Sequence, residues 1–205
     1  MADRQFFLTF DGAPNPPGTD AVLAALERHG ITATFFMEGW RLETEADCAR
    51  RVVDAGHVIG NHSYSHSNFD ELTPEVALQE VTQADDLIRS AVGVASCFFR
   101  PPWGRLAPDV TDAVLGAGFD IILWSVSVRD WEGPDAAGVS DRLLSGAHPG
   151  GIVALHDRVE WNPDVLDIVV PAMRADGYDF VPISEAPPGE FVLRATGPRP
   201  ATETR

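Results

Sequence analysis

The sequence predicts an α/β fold in which about seven parallel strands alternate with helices and close, or nearly close, into a barrel. Three observations carry this. Short apolar runs recur along the chain, separated by stretches with helix start and stop signals. Most runs are apolar throughout, as strands covered by helices on both faces require. No internal repeat or linker interrupts the 205 residues, a length that suits one domain with a well-buried core.

Gln5–Phe10 reads as the first strand, ending at Asp11-Gly12-Ala13-Pro14. Thr19-Asp20 is expected to cap a helix over Ala21–His29, which Gly30 stops. Thr32–Met37 is the second strand, Glu43–Ala55 the second helix, and His57–Gly60 the third strand. Thr73-Pro74 starts a helix that runs to about Ala91, with threonine as N-cap and proline at the first helical position. Cys97–Arg100, Phe119–Val126 and Gly151–His156 are strands four to six, with helices over Pro108–Ala117, Asp135–Ser145 and Pro163–Ala175. Phe180–Ile183 supplies a seventh strand. Residues 1–186 thus form one domain, and 187–205, rich in Pro, Gly and Thr, read as a loose tail.

The formal charge of -16 repels phosphate backbones and anionic lipid, so neither nucleic acid nor membrane partners are expected. Cys48 and Cys97 are far apart and in no C-x-x-C pairing, which predicts two reduced thiols. With no signal-like segment after Met1, and no stretch long enough to span a bilayer, a cytoplasmic location is the expectation.

Chemistry-bearing residues gather just past the strands. His62 and His66, four apart after the third strand, would share one side of a helical turn and could share one metal ion. Asp11 follows the first strand, Arg100-Pro101-Pro102-Trp103-Gly104 the fourth, Arg129-Asp130-Trp131 the fifth, and His156-Asp157 closes the sixth. Each has a structural reading: a turn aspartate, an ion-paired arginine, packed tryptophans, a buried histidine. In a parallel sheet all of them meet on one rim, where they are the parts of metal-assisted hydrolysis.

The ordered set resembles the polysaccharide deacetylase family, carbohydrate esterase family 4, also called the NodB homology domain. Thr9-Phe10-Asp11-Gly12-Ala13-Pro14 is similar to its T-F-D-D-G-P motif and Ala33-Thr34-Phe35-Phe36 to the strand that follows. His62-Ser63-Tyr64-Ser65-His66, Arg100-Pro101-Pro102-Trp103-Gly104 and Leu155-His156 are similar to the later motifs, so the likeness spans roughly residues 5–183. The resemblance implies a distorted (β/α) barrel of the NodB type and removal of an acyl group from an amide nitrogen of a sugar or small molecule. It implies a divalent metal, Zn2+, on His62 and His66, with Asp11 as base held ionised by Arg100, and His156 as the acid for the leaving amine. Trp103 would offer a backbone N–H to the oxyanion, and Leu155 and Trp131 would wall the acyl pocket. Two positions depart from the family pattern: Gly12 stands where a third metal ligand is usual, and Ser127 where an aspartate orienting the catalytic histidine is expected. A tailoring enzyme using the same pocket for other acid/base chemistry, and a non-catalytic carbohydrate-binding relative, are the alternatives.

Overall fold

A computed structural model describes residues 4–132 and 135–200. Its nine strands are β1 (Arg4–Ala13), β2 (Thr34–Met37), β3 (Val58–Asn61), β4 (Phe98–Phe99), β5 (Asp120–Ile122), β6 (Val126–Ser127), β7 (Gly151–His156), β8 (Tyr178–Phe180) and β9 (Val192–Leu193). They form one sheet in the order β6-β7-β1-β2-β3-β4-β5-β9, with β8 pairing the first residues of β1. Every pairing is parallel except β5 with β9. Six helices cover it: α1 (Gly18–His29), α2 (Gly39–Asp54), α3 (Pro74–Val92), α4 (Pro108–Gly116), α5 (Ala136–Gly146) and α6 (Asn162–Ala175). This is the distorted (β/α) barrel the sequence predicts.

The two-residue period of a strand decides what faces the barrel interior. Along β1, Phe6, Leu8 and Phe10 pack outward with the helices, in a core that includes Val22, Leu26, Leu143 and Val169. Phe7 points inward against Phe36, Ile122 and Ile152, and Thr9 and Asp11 share that inner side. The first strand therefore does not stop before Asp11, as expected, but carries it; the register shifts only between Asp11 and Ala13, at Gly12. Gly60 has a related role inside β3. A Cβ there would stand 2.3 Å from the Phe36 ring, so glycine makes room for that ring.

The single strand expected over Phe119–Val126 is two. Asp120–Ile122 pairs with β4 and Val126–Ser127 with β7, so this run crosses from one side of the barrel to the other. Between them the Ile122 and Leu123 carbonyls accept from Nε and Nη2 of Arg100, at 3.1 and 3.2 Å, which satisfies oxygens the broken ladder exposes. Thr19 does not cap α1, whose first residue is Gly18; it is buried, and its hydroxyl donates to Asp157 at 2.5 Å. The segment from Pro187, read as loose, docks. β9 lies antiparallel to β5, Arg194 and Arg199 pair with buried Asp120, and the Ala195 N–H donates to the same carboxylate. Residues 201–205 of that tail lie outside the described residues. Both cysteines are free. No helix among the described residues is long and apolar enough to cross a membrane.

Candidate active site

The carboxyl ends of β1, β3, β4, β6 and β7 open into one cavity of about 700 Å³, lined by Asp11, His62, His66, Trp103, Trp131 and His156 among others. Of the site residues read from the sequence, two are not in the lining. Arg100 lies beneath it, fully buried. Leu155 points the wrong way: it shares the outer side of β7 with Val153 in the helix-facing core, and its neighbours Ala154 and His156 face the cavity instead.

Asp11 and Arg100 form the floor. Nη1 of Arg100 donates to Asp11 Oδ1 at 2.7 Å and to the Thr9 hydroxyl at 2.5 Å, and the guanidinium stacks 4.1 Å over the Phe36 ring. Burial by itself would raise the Asp11 pKa, but the charges of Arg100, His62 and His156 outweigh it and hold the carboxyl below its usual range. An ionised carboxylate with Oδ2 uncommitted at the cavity wall can accept a proton.

His156 sits beside Asp11, at the paired position of the neighbouring strand β7. Its Nδ1–H donates to Asp130 Oδ1 at 2.9 Å, which fixes the tautomer and leaves Nε2 to the cavity. Asp130 Oδ2 accepts from the His156 backbone N–H and from Asn162 Nδ2, both at 2.7 Å. The orienting aspartate is thus Asp130, three residues beyond the position where Ser127 stands. Ser127 is an exposed lining residue. The signal was present in Arg129-Asp130-Trp131, whose aspartate is completely buried while its neighbours are exposed, a pattern that depends on the turn after β6. The edge of Trp131 rests against the imidazole, 5.1 Å between ring centres.

The two remaining histidines lie on a loop, not on a helical turn. Asn61 accepts from the Ser63 N–H and donates to the Val81 carbonyl of α3, and Ser63 and His66 both adopt positive φ, 66° and 61°. The loop still brings the rings together, their centres 5.0 Å apart and nearly perpendicular. The Nδ1–H of His62 donates to the Arg100 carbonyl at 2.7 Å, leaving Nε2 as the free lone pair. Burial pushes the His62 pKa down to about 4, so the ring is neutral. His66 is lowered too, by burial first and then by the charge of Arg158, against the pull of Glu38.

Two neutral nitrogens are what a divalent ion would find here. A catalytic zinc takes three protein ligands. Among the described residues no set of three His, Cys, Asp or Glu side chains is arranged to hold a metal. Gly12 stands at the position of the third, with φ of 83°, and a Cβ built there would lie 2.8 Å from Nη1 of Arg158. Glu38 Oε1 is the acid nearest that point, at 3.4 Å, but its Oε2 is committed to Trp40 and Arg41. A cation thus occupies the ground where a ligand acid would stand, and the donor set does not fit a three-ligand catalytic metal.

The sequence pattern of polysaccharide deacetylases matches residues 1–122. The chain belongs to this family. A peptidoglycan-N-acetylglucosamine deacetylase of Bacillus cereus is 30% identical over 178 residues, covering 85% of this chain and 65% of that protein. A Listeria monocytogenes deacetylase of the same kind, also 30% identical, is covered over 39% of its length, so the chain spans only part of these relatives. Among solved polysaccharide deacetylase relatives, an acetyl xylan esterase from Clostridium thermocellum, in complex with a cobalt ion, aligns at a TM-score of 0.83 and 30% identity over 89% of both chains. A family pseudoenzyme from Bacillus anthracis aligns at 0.86 and 27%, covering 90% of this chain and 66% of that one, and a mutant of it is described as having restored activity. Both active and inactive polysaccharide deacetylases therefore share this scaffold.

Proposed function

We propose that this protein is a hydrolase that removes an acetyl-like acyl group from the amide nitrogen of a sugar or small molecule. The observation that carries it is the pairing of two groups side by side on one cavity wall: an ionised carboxylate backed by Arg100 and, next to it on β7, an imidazole backed by Asp130. A pure binding surface has no need of an ionised base and an oriented imidazole next to one another. Relatives named as deacetylases of peptidoglycan and chitooligosaccharides support the acyl-amide substrate class.

Asp11 takes the proton of a water as it attacks the acyl carbon, and Arg100 keeps Asp11 in the ionised form this needs. The carbonyl electrons move onto oxygen, and the Trp103 backbone N–H, on a residue held at φ 55°, is the donor assigned to that oxyanion. As the C–N bond breaks, His156 delivers the proton on Nε2 to the departing nitrogen, while Asp130 stabilises the imidazolium beforehand. His62 and His66 bound the cavity beside the reacting carbonyl. Zn2+ dependence, expected from the sequence, would have to rest on these two nitrogens and water alone. The test is acetate release from N-acetylglucosamine oligomers by wild type, Asp11→Asn and His156→Gln. Loss of release in both variants supports the assignment; undiminished release in either overturns it.

A further inference from the structure

We propose that Arg158 and Arg105 make this cavity an anion-binding site, so that the compound it accepts carries a carboxylate or phosphate group. This rests on the deacylase reading only for the rest of the substrate; the anion site stands on the geometry of the arginines. All 15 basic side chains of this chain are arginines, in a protein of net charge -16. Most of the described arginines are tied to a carboxylate, Arg100 and Arg129 at this site included. Arg158 and Arg105 both line the cavity and make no ion pair within 4.0 Å among the described residues.

The charges facing the ligand can be enumerated. Among the described residues Asp11 is the one acid in the lining, and its charge is neutralised by Arg100. Arg129 is offset by Glu132, and Glu38 behind Gly12 by Arg41. What remains uncompensated in the lining, among the described residues, is the two guanidiniums of Arg105 and Arg158, inside a molecule whose outer field is strongly negative. A planar guanidinium is the group best matched to a carboxylate or phosphate, which it binds through two parallel N–H donors. The decisive detail is at Gly12. Where an acid would draw in a cation, the missing side chain leaves room for Nη1 of Arg158, 2.8 Å from the absent Cβ. The charge of this corner is inverted, and its ligand class inverts with it.

Titration calorimetry at low salt with N-acetylglucosamine, N-acetylglucosamine 6-phosphate, N-acetylmuramic acid and inorganic phosphate tests this, each anionic sugar being matched by the neutral one. Wild type should bind at least one anionic sugar about tenfold more tightly than the neutral sugar, the size of one charge-assisted contact. Which of the two is preferred separates phosphate from carboxylate. Arg158→Gln should abolish the preference, Arg158→Lys should retain part of it, and Gly12→Asp, which sets a carboxylate against Arg158, should abolish it again. Equal binding of neutral and anionic sugars, no binding of any anion, or a preference that survives Arg158→Gln each overturns the proposal. Acetate release is followed separately. Anion preference without release sinks the deacylase reading and leaves this one standing; release from neutral and anionic sugars alike does the reverse.

Discussion

The two walls of the cavity are built to different standards of completeness. On the Asp11–His156 side the groups that back the two reacting side chains are each held by several partners. Arg100 spends Nε, Nη1 and Nη2 on two carbonyls, a hydroxyl and a carboxylate, and Asp130 accepts three donors. On the His62–His66 side the loop geometry is just as well determined, yet the position that would complete a ligand set is a glycine facing an arginine. The contrast teaches that the buried network and the cation site are separable. Removing a partner from the first strands a buried charge, whereas changing Gly12 alters a corner that holds no ion pair of its own and that Arg158 approaches.

Breaking the first wall has the largest expected effect. Arg100→Met leaves the Asp11 carboxylate buried without its counter-charge and frees two carbonyls at the break between β5 and β6. We expect a loss of about 3–5 kcal/mol in urea denaturation, with no acetate release. A variant with unchanged stability would mean that Asp11 and Thr9 do not depend on the guanidinium. Asp130→Asn is expected to cost about 2 kcal/mol, because the amide turns a donor toward groups that are themselves donors. Ser127→Ala should stay within about 0.5 kcal/mol and leave turnover intact. The reverse ranking would return the orienting role to Ser127.

The second wall is sharpened by restoring what it lacks. Gly12→Asp alone places a carboxylate at φ 83°, where a side chain is strained, and against Arg158, with which it pairs. Zinc affinity measured by calorimetry should therefore rise little. Gly12→Asp combined with Arg158→Ala frees the acid and should bind zinc at least about tenfold more tightly than the single variant, ~1.4 kcal/mol. Equal affinities for the two would remove Arg158 from the account of this corner.

Much of the fold was legible because strand and helix signals are local. β7 and α3 fall where their patterns put them, and the five motifs lie in order on one rim. Three things were not legible, each for a physical reason. Phe119–Val126 has the apolar content of one strand, and nothing local tells that it crosses the barrel midway. The side chain of Leu155 follows from the parity of β7, which needs the orientation of the whole strand. Arg158 approaches Gly12 from 146 positions away, a contact no spacing rule anticipates. Asp130 is an intermediate case: it was visible as part of a motif, but its role depended on the turn that brings it under His156.

A modest, pH-dependent effect lies just behind the cavity, at Asp157. Its Oδ2 accepts from Thr19, but Oδ1 is buried without a hydrogen-bond partner. Burial raises its pKa from 3.8 to about 6, with Thr19, Arg41 and Arg158 resisting. The sign follows from which state holds the proton. Between about pH 4 and 6 the folded protein keeps a proton that the unfolded chain has released, so stability falls as pH rises through this window and stays lower above it. A shift of this size corresponds to at most about 3 kcal/mol. Asp157→Asn removes the titration and lets the amide oxygen accept from Thr19, but its NH2 group inherits the unpartnered site. A net gain of about 1 kcal/mol at pH 8 is therefore expected, vanishing near pH 4 where the wild-type acid is itself neutral. Other groups titrate alike in both proteins and cancel in the difference. A gain of the same size at pH 4 and pH 8 would show that the carboxylate is not the strained group, and that the wall behind Gly18 tolerates charge as well as the floor does.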